Sequence, residues 1–255
     1  VKKLVALFGA ASLAILAFLA YPFVSLLLSM EPGPLGFALI SREARGALLL
    51  TLATATLATL ILLAVGVPLA YLLARFEFKG KSLVESLVDL PFVIPHAVVG
   101  VMLLVAYGPR TSIGGLLRSV GVVIESSPWA IIAVFIFVGA PLLVDSARDG
   151  FASIDPYLEG VARCMGAGPF KTFFTVSLPL AARSIVTGAV LAWARAVSEV
   201  GALLIIAYYP KTINVLIVEW FNTYGLPYAV ALTAILLPVS VAVFLVLRGL
   251  LRWRR

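Results

Sequence analysis

Cysteine occurs once in this chain, at Cys164, histidine once, at His96, and glutamine not at all; asparagine is limited to Asn214 and Asn222. A single thiol excludes an internal disulfide and any multi-cysteine metal site, leaving Cys164 as a small apolar residue. A lone imidazole with no partner ligands excludes a histidine-based metal centre and leaves His96 a structural hydrogen bond or a part in gating. The shortage of amide side chains suits a thermophilic source. Charge is scarce as well: 12% of residues are charged against 62% hydrophobic, outside the range of a soluble domain. Also missing are a Gly-x-x-x-x-Gly-Lys-Ser/Thr phosphate loop, a nucleophile elbow and paired metal motifs, so the chain is expected not to be an enzyme. An enzyme acting on lipid would need His, Asp and Glu gathered near one interface, and the scattered acids here argue against it.

What the sequence does contain is long apolar runs. A bilayer core takes about 20 apolar residues per helix, and six runs meet that length: 4–29, 44–74, 83–106, 128–144, 180–207 and 228–247. Strand-like alternation is absent, so helices rather than a barrel satisfy the backbone. The expected fold is an all-α integral membrane protein, one transmembrane domain over 1–255 with six transmembrane helices. Lys2 and Lys3 ahead of the first run imitate a signal peptide, but the run is too long and Tyr21-Pro22-Phe23 is a poor cleavage site. It reads as a span, uncharged inside, for packing against lipid or a second subunit.

The net charge of +7 is sorted by side rather than gathered into a nucleic-acid patch. With the N-terminus inside, the inner segments hold Lys2, Lys3, Arg75, Lys79, Lys81, Arg148, Arg163, Lys171, Arg183, Arg248, Arg252, Arg254 and Arg255. The outer ones hold only Arg42, Arg45, Arg110, Arg118 and Lys211. The positive-inside rule then predicts a multi-pass protein of the cell membrane with both termini, and the segment 149–179, in the cytosol. Arg252-Trp-Arg-Arg255 reads as an anchor in the inner headgroups.

Several spans carry more than apolarity. In the second, Thr51, Ala55 and Thr59 recur every four residues, a pattern for close helix packing, and Pro68 predicts a kink near the inner end. The third opens with Asp89-Leu-Pro-Phe-Val-Ile-Pro-His96; Pro91 and Pro95 remove amide donors and must bend or break it, which membranes tolerate mainly beside protein or a water-filled cavity. Ser112-Ile-Gly-Gly-Leu-Leu-Arg118 predicts a short surface helix in the outer loop. In the fifth span Gly188, Ala192 and Ala196 form a small-residue ridge suited to a dimer seam or a narrow passage. Arg195 and Glu199 stand four residues apart near mid-span, where a lone charge costs at least a few kcal/mol. They are each other's natural partners. They form either a structural ion pair, or a site where Arg195 offsets a passing anion, Ser198 donates a hydrogen bond and Glu199 holds the arginine. Beyond this span an aromatic-rich outer loop, Tyr208-Tyr209-Pro210-Lys211 and Glu219-Trp220-Phe221-Asn222, suits the membrane interface or an external partner.

Between the fourth and fifth spans lies a segment with helix punctuation. Asp155 is a good N-cap, Pro156 suits the first helical position, and Gly166 suits a left-handed terminal turn. Tyr157, Leu158, Val161, Cys164 and Met165 fall on one side of the bracketed helix, and Glu159, Ala162, Arg163 and Gly166 nearer the other. The expectation is that the apolar side rests on the membrane domain and the small, sparsely charged side faces a cytosolic protein; an ordinary interfacial helix is the plainer alternative.

This segment resembles the cytoplasmic loop of importer-type ABC transporter permeases, whose signature is Glu-Ala-Ala, then Gly, then Leu-Pro. The match runs through Ala162, Gly166, Val176 and Leu178-Pro179; the usual Glu and first Ala positions carry Gly160 and Val161, with Glu159 one residue early. Asp89–His96 followed by Gly100, together with Trp193-Ala-Arg-Ala-Val-Ser-Glu-Val-Gly-Ala202, narrows the resemblance to molybdate and tungstate permeases, which sulfate permeases partly share. The resemblance implies an alternating-access importer subunit: a homodimer of permease chains, two cytosolic ABC ATPase subunits gripping Asp155–Arg163 and Gly166, and an external binding protein delivering an oxyanion. It implies that ATP and Mg are bound by the ATPase partner, with no cofactor in this chain. A sulfate permease, or a transporter driven by an ion gradient, is the competing expectation; the latter would favour an inverted repeat between the chain's halves.

Overall fold

The computed structural model describes residues 2–252, and every regular element among them is helical. In chain order these are α1 (Lys2–Leu28), α2 (Pro32–Ile40), α3 (Arg42–Arg75), α4 (Lys81–Val93), α5 (His96–Tyr107), α6 (Ser112–Ser119) and α7 (Pro128–Ala152). There follow α8 (Pro156–Cys164), α9 (Pro169–Thr172), α10 (Leu178–Val197), α11 (Leu203–Ile206), α12 (Ile213–Tyr224) and α13 (Leu226–Arg252). Among the described residues five helical stretches are long and apolar enough to cross a bilayer: α1, α3, α7, Pro169–Val197 and the Leu226–Val246 part of α13. A sixth is added if α5 and α6, bent by 75° to each other, count as one span. The anchor expected at 252–255 falls outside the described residues, save for the backbone of Arg252.

The organising element is α7, packed between α3 and α10. Lipid removes the water-driven incentive for helices to associate, so close contact has to come from small residues. At Gly188 an added Cβ would lie 2.9 Å from Ser146 Cβ and 3.0 Å from the Leu142 carbonyl oxygen, and at Gly150 it would lie 2.5 Å from Ser184 Cβ. Ser146 Oγ also donates to the Ser184 carbonyl at 2.7 Å. The ridge of Gly188, Ala192 and Ala196, expected at a dimer seam or a passage, is therefore spent inside the chain: Ala192 meets Gly139 of α7, and both alanines are buried. The Thr51–Ala55–Thr59 face of α3 is likewise buried, with Thr51 and Thr59 bonding the carbonyls one turn back. That helix runs on through Pro68. By contrast α1 exposes its apolar side chains all round.

Two of the expected spans end differently from their apolar runs. The third is two helices, α4 and α5, separated at Ile94–Pro95; at 13 and 12 residues each reaches only about 20 Å, short of a bilayer core of about 30 Å. The fifth stops at Val197 instead of running to 207, and Ser198–Ala202 forms a turn before α11. Physically, the Glu199 carboxylate takes the Ala202 N–H at 3.0 Å, capping a new helical turn where hydropathy alone would continue the old one. The outer loop around Glu219 also proved to be helical, as α12.

Candidate functional site

Two constellations carry polar chemistry in an otherwise apolar molecule. The first is built around α8. Asp155 Oδ1 accepts the Tyr157 N–H at 2.9 Å, Pro156 opens the helix, and Gly166 takes φ +85°, the left-handed turn that ends it. The helix lies the other way round from the orientation expected of it. Tyr157 is 73% exposed and Met165 83%, with Leu158, Val161 and Cys164 also exposed; on the other side Glu159 is only 5% exposed and Ala162 partly covered, while Arg163 and Gly166 stay exposed.

The reversal has a cause in what waits on the bundle side. Arg75, at the last turn of α3, donates from Nε to Glu159 Oε1 at 2.9 Å and from Nη2 to the Ile154 carbonyl at 3.0 Å. Tyr71 Oη donates to Glu159 Oε2 at 3.3 Å and Ser177 Oγ to Oε1 at 2.8 Å, with Arg163 Nη2 3.7 Å away. A buried carboxylate needs such partners, and the apolar side of α8 has none to offer. Ser177 is in reach because Pro179 has no N–H to return to the Thr175 carbonyl. The turn Phe173–Ser177 widens instead, Leu178 N–H bonding five residues back to Phe173. Tyr71 packs edge to face on Phe151 and Phe173 beside the group, with ring centroids 5.2 and 4.9 Å away, and the two phenylalanines are tilted to each other at 6.0 Å. Tyr71, Arg75 and Ser177 were not distinguishable by sequence; each reads as an ordinary residue at the end of an apolar run.

The second constellation joins four of the six residues expected along a pathway. Arg195 Nη2 donates to Glu199 Oε2 at 2.7 Å and lies 2.7 Å from His96 Nδ1, which is itself 3.2 Å from the same carboxylate oxygen. Nδ1 holds one proton or one lone pair, so it serves the arginine or the glutamate but not both. Ser198 Oγ donates to the Arg195 carbonyl at 2.9 Å. Glu199 is 1% exposed and His96 about half exposed, so the acid is the buried member and the imidazole the accessible one. Pro95 precedes α5 and presents His96 at its first turn; Pro91 is buried within α4. Two glycines, named in the sequence only as part of the family resemblance, set the approach. A Cβ on Gly201 would come 2.9 Å from His96 Cβ, and one on Gly100 2.5 Å from the Ala202 carbonyl oxygen. Asn214 Nδ2 ties the turn to α12 through the Val197 and Glu199 carbonyls, at 2.6 and 3.2 Å.

Beside this cluster a cleft of about 420 Å³ opens between α10, α12 and α13, bordered by Trp193, Ser198, Asn214, Thr233 and Ser240. Ser240 Oγ is buried there without a hydrogen-bond partner. Elsewhere Lys211 bridges Glu43 at 2.7 Å and Glu219 at 2.8 Å, joining α3 to α12. Burial alone would lower the Lys211 pKa, but hydrogen bonds to Glu219 and Glu43 outweigh it and hold it above the ordinary lysine value. Among the described residues no three His, Cys, Asp or Glu side chains are placed to hold a metal ion.

Comparison with known proteins gives a consistent result. The profile of the binding-protein-dependent transport system inner membrane component family matches residues 66–255. The molybdate/tungstate transport system permease protein WtpB of Pyrococcus furiosus is 52% identical over 200 residues, 78% of this chain and 75% of that protein. Its namesake in Methanocaldococcus jannaschii is 42% identical over 241 residues, 94% of each chain. Among solved structures, a bacterial alginate ABC transporter in complex with an alginate pentasaccharide-bound periplasmic protein superposes with a TM-score of 0.77 at 20% identity. That match covers 96% of this chain and 92% of the other, and it speaks to the fold alone.

Proposed function

This chain belongs to the family of binding-protein-dependent transport system inner membrane components, and from that premise we propose that it is the permease subunit of an ATP-driven importer of molybdate and tungstate. In this reading two copies pair around a pathway, and two cytosolic ABC ATPase subunits, which bind ATP and Mg, engage α8. An external binding protein delivers the oxyanion. Both termini and α8 then face the cytosol. The observation that carries the reading is the outward apolar face of α8, Tyr157, Leu158, Val161 and Met165, beside the equally exposed Phe170. An isolated nine-residue helix is marginal in water, and one that turns its apolar side away from its own chain has a partner to meet. Closure of the ATPase pair would move the two α8 helices together and switch the spans between packed states.

Within the membrane, Arg195 offers positive charge to a passing dianion, Ser198 a hydroxyl and His96 an accessible imidazole. Glu199 holds the arginine, and the break at Ile94–Pro95 separates α5 from the hydrogen-bond ladder of α4. The experiment is uptake by proteoliposomes holding the chain with its ATPase and binding protein, supplied with molybdate, tungstate or sulfate. Molybdate and tungstate uptake that needs ATP is expected, with sulfate the poorer cargo. Met165→Glu, with Phe170→Glu beside it, is expected to lower ATPase-subunit affinity at least about tenfold, as loss of a buried anchor does at other interfaces. Uptake by the chain alone down an ion gradient would overturn the proposal.

A further inference from the structure

The apolar side of α8 faces away from the bundle, so its attachment to the spans is concentrated in Glu159. That carboxylate is bonded to Arg75 and Tyr71 at the end of α3 and to Ser177 at the entry to α10. Arg75 in turn holds the Ile154 carbonyl in the connection from α7. Both charged side chains are nearly enclosed, at 9% and 7% exposure. We infer that Glu159 is the positioning residue through which displacement of α8 is passed to α3 and α10, so that the Arg75–Glu159 pair, and not the apolar contact surface, sets how much transport each ATP yields. The inference rests on the proposed role of α8.

The physical case is one of directionality. Apolar contacts let one surface slide along another with little change in energy, whereas a buried ion pair with further hydrogen bonds is held to a narrow range of distance and angle. Parting Glu159 from Arg75 would take from each its closest opposite charge in an enclosed site, leaving the carboxylate two hydroxyls and the more distant Arg163, and the guanidinium the Ile154 carbonyl. When α8 moves, the ends of α3 and α10 must move with it. Both of those helices pack along α7, so a shift at this point is delivered to the centre of the bundle.

The test uses the whole assembly, permease with ATPase subunits and binding protein, and reads the ratio of oxyanion imported to ATP hydrolysed. Glu159→Gln removes the charge and keeps the shape. The ratio is expected to fall about tenfold, within the 5- to 150-fold range of ordinary coupling between sites, while ATPase subunits still co-purify. Ser177→Ala, which removes one of the carboxylate's bonds, should give a smaller fall in the same direction. An unchanged ratio in Glu159→Gln overturns the inference. So does loss of co-purification in both variants, because Glu159 would then shape the docking surface rather than transmit motion. Failure of the unaltered chain to bind any ATPase subunit would sink the function proposal instead, which keeps the two results apart.

Discussion

Exchanging the two charges of the intramembrane cluster, singly and together, gives the sharpest test of how that cluster is held. Glu199 is 1% exposed and Arg195 24%, at 2.7 Å from each other. Removing one member of a buried pair typically costs about 3–5 kcal/mol, because the other is left without compensation. The lower end applies here, since Arg195 keeps some exposure and retains His96 Nδ1 at 2.7 Å. Arg195→Met and Glu199→Gln should therefore each destabilise by about 3 kcal/mol. The double variant strands no charge and should be little worse than either single one. That gives a coupling energy of at least about 2 kcal/mol, well above the 0.3–0.5 within which independent sites add. The assay is reversible unfolding of the purified chain in mixed micelles by titration with SDS, followed by tryptophan fluorescence. Strict additivity of the two single effects would refute the buried-pair reading and leave Arg195 available to a ligand at no structural expense.

Gly201→Val should destabilise the chain by about 1–3 kcal/mol, as overpacking does, and shift the environment of His96, whereas Gly9→Ala should do neither. The first places a Cβ 2.9 Å from His96 Cβ and the second meets nothing within 4 Å, so equal unfolding midpoints would contradict the packing described. Lys211→Met should cost about 1 kcal/mol, as befits partly exposed ion pairs, and the loss should be the same at pH 6 and pH 9. The sign follows from the raised folded-state pKa: its stabilisation is complete below the unfolded lysine value and fades only as pH rises through the folded one. A loss that changed steeply between those two pH values would show that other groups govern the cluster.

The apolar runs located the long helices α1, α3, α7 and α13 because burial in lipid demands only length and hydropathy, and Asp155, Pro156 and Gly166 located α8 because caps and turns act within a few residues. Legibility failed where a side chain answers to something distant in sequence. Glu199 reads as a mid-span charge, and its carbonyl is held from α12 by Asn214 Nδ2, fifteen residues on, at 3.2 Å. Gly100 and Gly201 look like any other glycines until α5 is brought against the turn at 199–202. The Gly188 ridge carried a correct statement, that something packs closely there, and an incorrect addressee; small-residue spacing does not say which helix will use it, and α7 did. Arg195, Ser198 and Glu199 were singled out together and His96 apart from them, but the contact between α5 and the end of α10 is a tertiary fact that no spacing encodes.

The reversed orientation of α8 bears on the choice between an interfacial helix and a docking element. A helix resting on lipid turns its apolar face to the membrane and its charges to water, and by periodicity alone Tyr157, Leu158, Val161 and Met165 would be that resting face. Here the side turned to the ends of α3 and α10 is the one bearing Glu159, and it is satisfied there by Arg75, Tyr71 and Ser177. A carboxylate is drawn inward only where cations and hydroxyls already wait for it, so the polar contact dictates the orientation and the apolar face is displayed as its consequence. The apolar face expected to rest on its own chain is thus left uncovered by it, and α8 is fastened from behind by a charge. That arrangement fits the ATPase contact proposed above, because the exposed apolar surface and the fastening share no residue.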